Sequence, residues 1–240
     1  MSEAFRLVGQ PRFGGILIVA DHASNRVPED IDLGIDPALL DDHIAVDIGV
    51  AGVAEHMAGH AGIAAFLGNV TRLVCDLNRK EDHHGLTPHV SDGHAIPGND
   101  GDVRQSRIER FFRPYHNELS AILDRCPQAL ILSLHSFAPK LASKPDEDRP
   151  WDCGVLYNMD DRASRLAIAL LEAEGLHVGD QEPYSGKLLN ATMDRHAEAE
   201  GRPYLGLEVR QDRIATPVQQ MEWAKRLVRI CNRVALEAGE

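Results

Sequence analysis

The sequence predicts an α/β domain in which a largely parallel sheet lies between layers of helices. Two observations predict this class: short apolar runs recur along the chain, and amphipathic stretches separate them. A third observation bears on function. Polar residues and two long loops follow the ends of these runs, where open α/β sheets bind ligands.

The elements follow in order. Gly15–Ala20 (GILIVA) reads as a buried strand that runs straight into Asp21 and His22. Residues 37–60 (PALLDDHIAVDIGVAGVAEHMAGH) set Leu40, Ile44, Ile48 and Ala51 on one helical face, with Pro37 suited to a first turn. Thr71–Leu77 (TRLVCDL) reads as the next strand, closed by the DLNR of Asp76–Arg79. Helical patterns cover Asp102–Cys126, Asp161–Glu174 and Thr216–Ala238, with a weaker one over Gly186–Glu200. Further strands are expected at Ala129–His135 (ALILSLH), Cys153–Asn158 (CGVLYN) and Tyr204–Arg210 (YLGLEVR). Lys80–Asp100 and Ser136–Asp152, rich in Pro, Gly and Asp, fit no element. Loops of that length in a compact domain often serve as lids or binding loops.

Composition narrows the function classes. With 240 residues, 43% hydrophobic and 26% charged, the chain has the make-up of a soluble globular protein, and one domain over 1–240 is expected. A net charge of -12 argues against nucleic acid as a bulk partner, while leaving room for a small anion held by a local cluster of Arg. No apolar run approaches a membrane span, and MSEAFRLVGQ lacks a signal-peptide pattern. Cys75, Cys126, Cys153 and Cys231 form no CxxC pair, which fits a reducing, cytoplasmic setting. Nothing in the sequence fixes an oligomeric state.

Individual residues then stand out. His22 and His135 each end an apolar strand, so they either share a metal or are hydrogen-bonded histidines at a sheet edge. Asp47 falls on the apolar stripe of the 37–60 pattern, where a carboxylate needs a partner: a cation, or His43 one turn earlier. Asn25 has the spacing of a metal-binding H-x-x-E motif but offers an amide, a poor zinc ligand, so Asp47 is preferred. Arg79 has the planar fork that grips a carboxylate, with Asn78 beside it and Arg72 earlier on the run. Glu208 and Arg210 point to one side of their strand, as a solvated ion pair or as a general base and an anion clamp. His83, His84, His89 and His94 lie in the first long loop and read as solvated.

In this order, DHASN, HIAVDIG, TRLVCDLNR, HAIPGN, LSLHSFAP, RPW, PYSG and LEVRQD resemble the N-formylglutamate amidohydrolase family, from about Ile16 to past Trp223. That family is related in fold to zinc carboxypeptidases and aspartoacylases. The resemblance implies a three-layer α/β/α sandwich with a mixed, largely parallel sheet and one zinc, or another divalent metal, per chain. It implies His22 and His135 as metal histidines, Asn78 and Arg79 at the substrate, and Glu208 as the base. To these the residues themselves add Asp47 as the further metal ligand, Arg72 at the oxyanion, and Arg210 and Ser136 at the substrate. The implied substrate is a small anionic N-acyl amino acid, N-formyl-L-glutamate first. Hydrolysis of other N-acyl amino acids or peptides, and non-catalytic binding of an anionic metabolite, are the alternatives.

Overall fold

Four of the five apolar runs of the sequence become strands of a seven-stranded sheet. In the computed structural model, which describes residues 2–237, the elements are as follows. The chain opens with β1 (Phe5–Val8), β2 (Ile16–Ala20), α1 (Val50–Ala58) and β3 (Ile63–Gly68). A small hairpin, β4 (Val90–Ser91) and β5 (His94–Ala95), precedes α2 (Arg104–Arg107) and α3 (Arg113–Arg125). Then come β6 (Leu130–Phe137), β7 (Cys153–Leu156), α4 (Arg162–Ala173), β8 (Val178–Asp180), α5 (Ala191–His196), β9 (Tyr204–Arg210) and α6 (Pro217–Glu237). The expected end of the last helix at Ala238 lies outside the described residues.

The strand order is β1-β3-β2-β6-β9-β7-β8. The four central strands run parallel, while β1 and β7 pair antiparallel to their neighbours β3 and β9. The sheet is therefore mixed and mostly parallel, with helices on both sides, as expected. Every residue of β2, β3 and β7 is buried, as strands covered on both faces must be. On one side α1 packs on α6, and α6 on α4. On the other α3 meets α5, and Tyr115 of α3 packs on Phe66 of β3 with ring centroids 4.8 Å apart. The four cysteines are free and buried.

This topology positions a site. From β2 the chain goes to β3 on one side, whereas β6 and β9 lie on the other, so order reverses between β2 and β6. The carboxyl ends of β2, β6 and β9 share one rim. His22 stands just beyond β2, and His135 of β6 and Glu208 of β9 are register partners.

Three expectations are corrected. The helix expected over residues 37–60 is a 3-10 turn (Pro37–Asp41), an irregular stretch, and then α1. Gly49 sets the break: it is left-handed (φ 83), and a Cβ there would come within 2.2 Å of the Ile214 carbonyl oxygen. Asp47 is thus on a turn rather than on a helix face. Thr71–Leu77 is not a strand but a buried loop, whose polar backbone is satisfied elsewhere. Thr71 N donates to Arg26 O (2.9 Å), Val74 N to Thr71 O (3.0 Å), Asp76 N to Leu86 O (2.8 Å), and Asn99 Nδ2 to Leu73 O (2.7 Å). The strand in that region is β3, built from the small-residue run IAAFLG. The helix expected over Asp102–Cys126 also contains a π-turn at Ile108–Phe112, just before Pro114, whose missing N–H breaks the regular ladder.

Candidate active site and metal centre

His22, Asp47 and His135 converge at the rim. All three are buried, and one ligand atom of each lies within 4.8 Å of the others. The approach is local in origin: the turn before α1 folds back so that Asp47 N donates to His22 O (3.0 Å). His22 Nε2 donates to Asp76 Oδ1 (2.8 Å), which turns Nδ1 toward Asp47 Oδ2, 3.5 Å away. His135 Nδ1 is 2.8 Å from the same Asp47 oxygen, and its Nε2 is 3.4 Å from Asp21 Oδ2.

Both imidazoles are therefore set between a central carboxylate and an outer one. Metal-ligating histidines are held in this manner, one nitrogen to the ion and the other to a carboxylate. His22 Nδ1 is buried and has no hydrogen-bond partner among the described residues. A buried imidazole nitrogen without a partner is costly, and a cation would satisfy it. The donor set of two nitrogens and one carboxylate oxygen fits a zinc-type ion with an open position.

Charges reinforce the arrangement. Burial alone would push both histidines down. For His135 the pairing with Asp21 and the hydrogen bond to Asp47 overcome it, and for His22 the charges of Asp76 and Asp47 do so; both pKa values end up raised. Burial would push Asp47 up, but His22 and His135 hold its carboxyl below the usual range. Asp76 is likewise held well below it by His22 and Arg72, against its burial.

Beside this cluster is a cavity of about 160 Å³, floored by the three residues and by Glu208. Burial, with the charge of Asp47 adding to it, pushes the Glu208 carboxyl up to about 7, against the pull of His135, Arg72 and His22. A carboxylate tuned to neutrality beside a cavity can move protons at physiological pH.

The remaining expected residues are placed as follows. Arg72 bridges Asp47 Oδ1 and Asp76 Oδ2, each at 3.3 Å, and lines the cavity. Arg79 spends Nε on Asp76 Oδ2 (3.3 Å), which leaves its terminal fork for a ligand. Asn78 accepts from Thr192 N through Oδ1 (3.0 Å), so its Nδ2 is the donor left for a ligand. Ser136 lines the cavity, but its hydroxyl donates to Ile48 O (3.1 Å), which braces the Asp47 turn. Arg210 is not brought in. Its guanidinium is held by Asp212 (2.8 and 3.3 Å) and by the carbonyls of Arg149 and Pro150, and it does not line the cavity. Asn25 donates to Asp41 at the surface and takes no part. His43 pairs with Asp42 and Asp92, not with Asp47.

Sequence reasoning missed the outer carboxylates and one cavity wall. Asp21 holds His135 from behind and accepts from Tyr115 OH (2.8 Å) and Thr192 Oγ1 (3.1 Å). Tyr184 lines the cavity, and its hydroxyl accepts from buried Arg149 (3.0 Å). The available signals were an acid directly before His22, an acid opening DLNR, and the RPW and PYSG motifs that contribute Arg149 and Tyr184.

Residues 14–215 match the family model described as N-formylglutamate amidohydrolase. The chain belongs to the N-formylglutamate amidohydrolase family. Family membership supports amidohydrolase as the general activity of the chain. The gene product Atu2144 from Agrobacterium tumefaciens superposes with a TM-score of 0.90 at 25% identity, covering 100% of this chain and 97% of that one. The N-formylglutamate amidohydrolase from Ralstonia eutropha JMP134 superposes with a TM-score of 0.72 at 20% identity, covering 98% and 97%. A bacteriophage poly-gamma-glutamate hydrolase shares the fold more distantly, with a TM-score of 0.52 at 10% identity and coverage of 100% and 91%. Comparison with the curated proteins yields no match. No helix among the described residues is long and apolar enough to cross a membrane.

Proposed function

We propose that the protein is a metal-dependent hydrolase of small N-acylated, carboxylate-bearing amino acids, with N-formyl-L-glutamate as the leading substrate. The observation that carries this reading is the buried His22–Asp47–His135 cluster with Glu208 beside it on the neighbouring strand. His22, Asp47 and His135 would hold one zinc-type ion, which supplies Lewis acidity and lowers the pKa of water toward ~7. Glu208 takes a proton from the attacking water and later gives it to the leaving nitrogen. The acyl carbon gains the water oxygen, the C–N bond breaks, and formate and glutamate result. Arg72 keeps Asp47 in place and turns its charge toward the oxygen on which negative charge develops. Arg79 grips a substrate carboxylate through its free fork, and Asn78 Nδ2 donates beside it.

The family supports the amide chemistry, and the arginines at an otherwise acidic protein's cavity support an anionic substrate. The test is formate release from N-formyl-L-glutamate by purified protein, before and after chelation and after zinc is added back. Activity lost to chelator and restored by zinc is expected. Full activity in stripped protein contradicts the metal, and no release from any N-acyl amino acid contradicts the reaction.

A further inference from the structure

The cavity of the candidate site adjoins a second depression of about 610 Å³, and the two share His43, Arg72, Arg79 and Tyr184 as walls. The far side is formed by the two long loops: His83 to Asp92 from one, Leu141 and Ser143 from the other.

This groove is built rather than incidental. Asp92 ties its walls together by accepting from Ala142 N (3.0 Å) and Ser143 N (2.9 Å) while pairing with His43 Nε2 (3.2 Å). Its left-handed backbone (φ 42), followed by Gly93 (φ 88), makes the two-residue turn of the β4–β5 hairpin. Asn99, fully buried, donates to Leu73 O (2.7 Å) and Pro88 O (2.9 Å), and Arg104 donates to His83 O (2.8 Å), which fixes the loop from below. The His83 and His84 rings stack at 4.3 Å on the wall.

Its chemistry is selective. Two acids face it, and both are already paired: Asp76 with Arg72, Arg79 and His22, and Asp92 with His43 and two backbone amides. The groups left to a ligand are the Arg79 fork and ring N–H donors, since both terminal nitrogens of Arg72 are held by Asp47 and Asp76. In a chain of net charge -12, that is a local preference for anions. The groove is also several times larger than the cavity in which the amide is to be cut.

We propose that the groove is a subsite for the amine side of the substrate, so that the preferred substrate is an N-acylated acidic peptide rather than a single acylated amino acid. This rests on the hydrolase reading above. The acyl carbon lies in the small cavity and the first acidic residue at Arg79, and the next acidic residue lies along the histidine wall. Water adds to the acyl carbon, the C–N bond breaks, the acyl group leaves as its carboxylate, and the peptide amine takes the proton.

The experiment compares kcat/KM for N-formyl-Glu with that for N-formyl-Glu-Glu, using zinc-loaded protein. One further charged contact should favour the dipeptide by about tenfold. Ser143→Trp, which fills the groove from its rim, and His84→Ala, which removes half of the stacked wall, should each bring that ratio back toward unity. Cleavage of N-formyl-Glu with no advantage for the dipeptide overturns the subsite and leaves the hydrolase reading standing. An advantage that neither substitution reduces also overturns it. Cleavage of neither substrate overturns both.

Discussion

At the scale of single residues, the account turns on who holds each proton and each charge around His22, Asp47 and His135. His22→Ala or His135→Ala should each remove bound metal from the protein while leaving the fold intact, as read by metal content and circular dichroism; full occupancy in both would put the metal elsewhere. Arg79→Lys keeps the charge but loses the fork. It should cost roughly 1.5–3 kcal/mol in kcat/KM on an acidic substrate, and equal values would remove Arg79 from substrate binding. Glu208 must be ionised to accept a proton, so activity falls as pH drops through its pKa. Burial puts that pKa at about 7 without a cation, and a cation at the adjoining ligands lowers it. The acid limb of kcat/KM should therefore fall below about pH 7; a limb well above that would assign the titration to another group. The sequence made His22, His135, Asp47 and Glu208 legible because each is a polar residue interrupting an apolar pattern. Asp21 and Asp76 were not legible, since an acid beside a histidine or an arginine looks like ordinary surface charge. Arg210 shows the reverse: alternation puts it on Glu208's side of β9, yet Asp212 and two carbonyls claim its guanidinium.

At the scale of elements, the segment that carries Asp76, Asn78 and Arg79 has no ladder of its own and depends on its neighbours. His116 of α3 bonds the Leu77 carbonyl through Nε2 (3.0 Å), and its Nδ1 meets His196 Nε2 of α5 at 2.8 Å. Burial pushes His116 down to about 3 and His196 to about 4, from 6.5, so both are neutral in the folded protein near pH 7. The unfolded chain takes up these protons first as pH falls. The pair's contribution to stability is thus complete above about pH 6.5 and is lost toward pH 4 and below. The slope is up to about 1.4 kcal/mol per pH unit for each histidine. Urea titrations of His116→Gln/His196→Gln should show a flatter pH dependence than the parent between pH 6.5 and 4; equal slopes would deny the pair this role. Apolar runs announced β2, β6, β7 and β9 because those strands draw their hydrogen bonds from one another. Thr71–Leu77 carries the same signature, but its partners are loops far away in sequence, and no local pattern reveals that. The break before α1 was hidden likewise, since it depends on the approach of Ile214 to Gly49.

At the scale of the whole molecule, the fold exists to bring the ends of β2, β6 and β9 to one rim, and the two long loops complete the site above it. The sequence displayed the alternation of strands and helices, and hence the rim. The clasp of the loops by Asp92 rests on contacts between residues some fifty positions apart, such as Asp92 to Ser143, and was not visible there. The central claim is that this rim is a hydrolytic centre and not merely an anion-binding one. Glu208→Gln tests it most directly, with turnover and metal content measured on the same preparation. The substitution keeps size and hydrogen bonding but cannot accept a proton. The account predicts that kcat falls by about two to four orders of magnitude while metal content stays at the parent's level. Parent-level turnover would contradict the account, and loss of the metal would make Glu208 a ligand rather than the base.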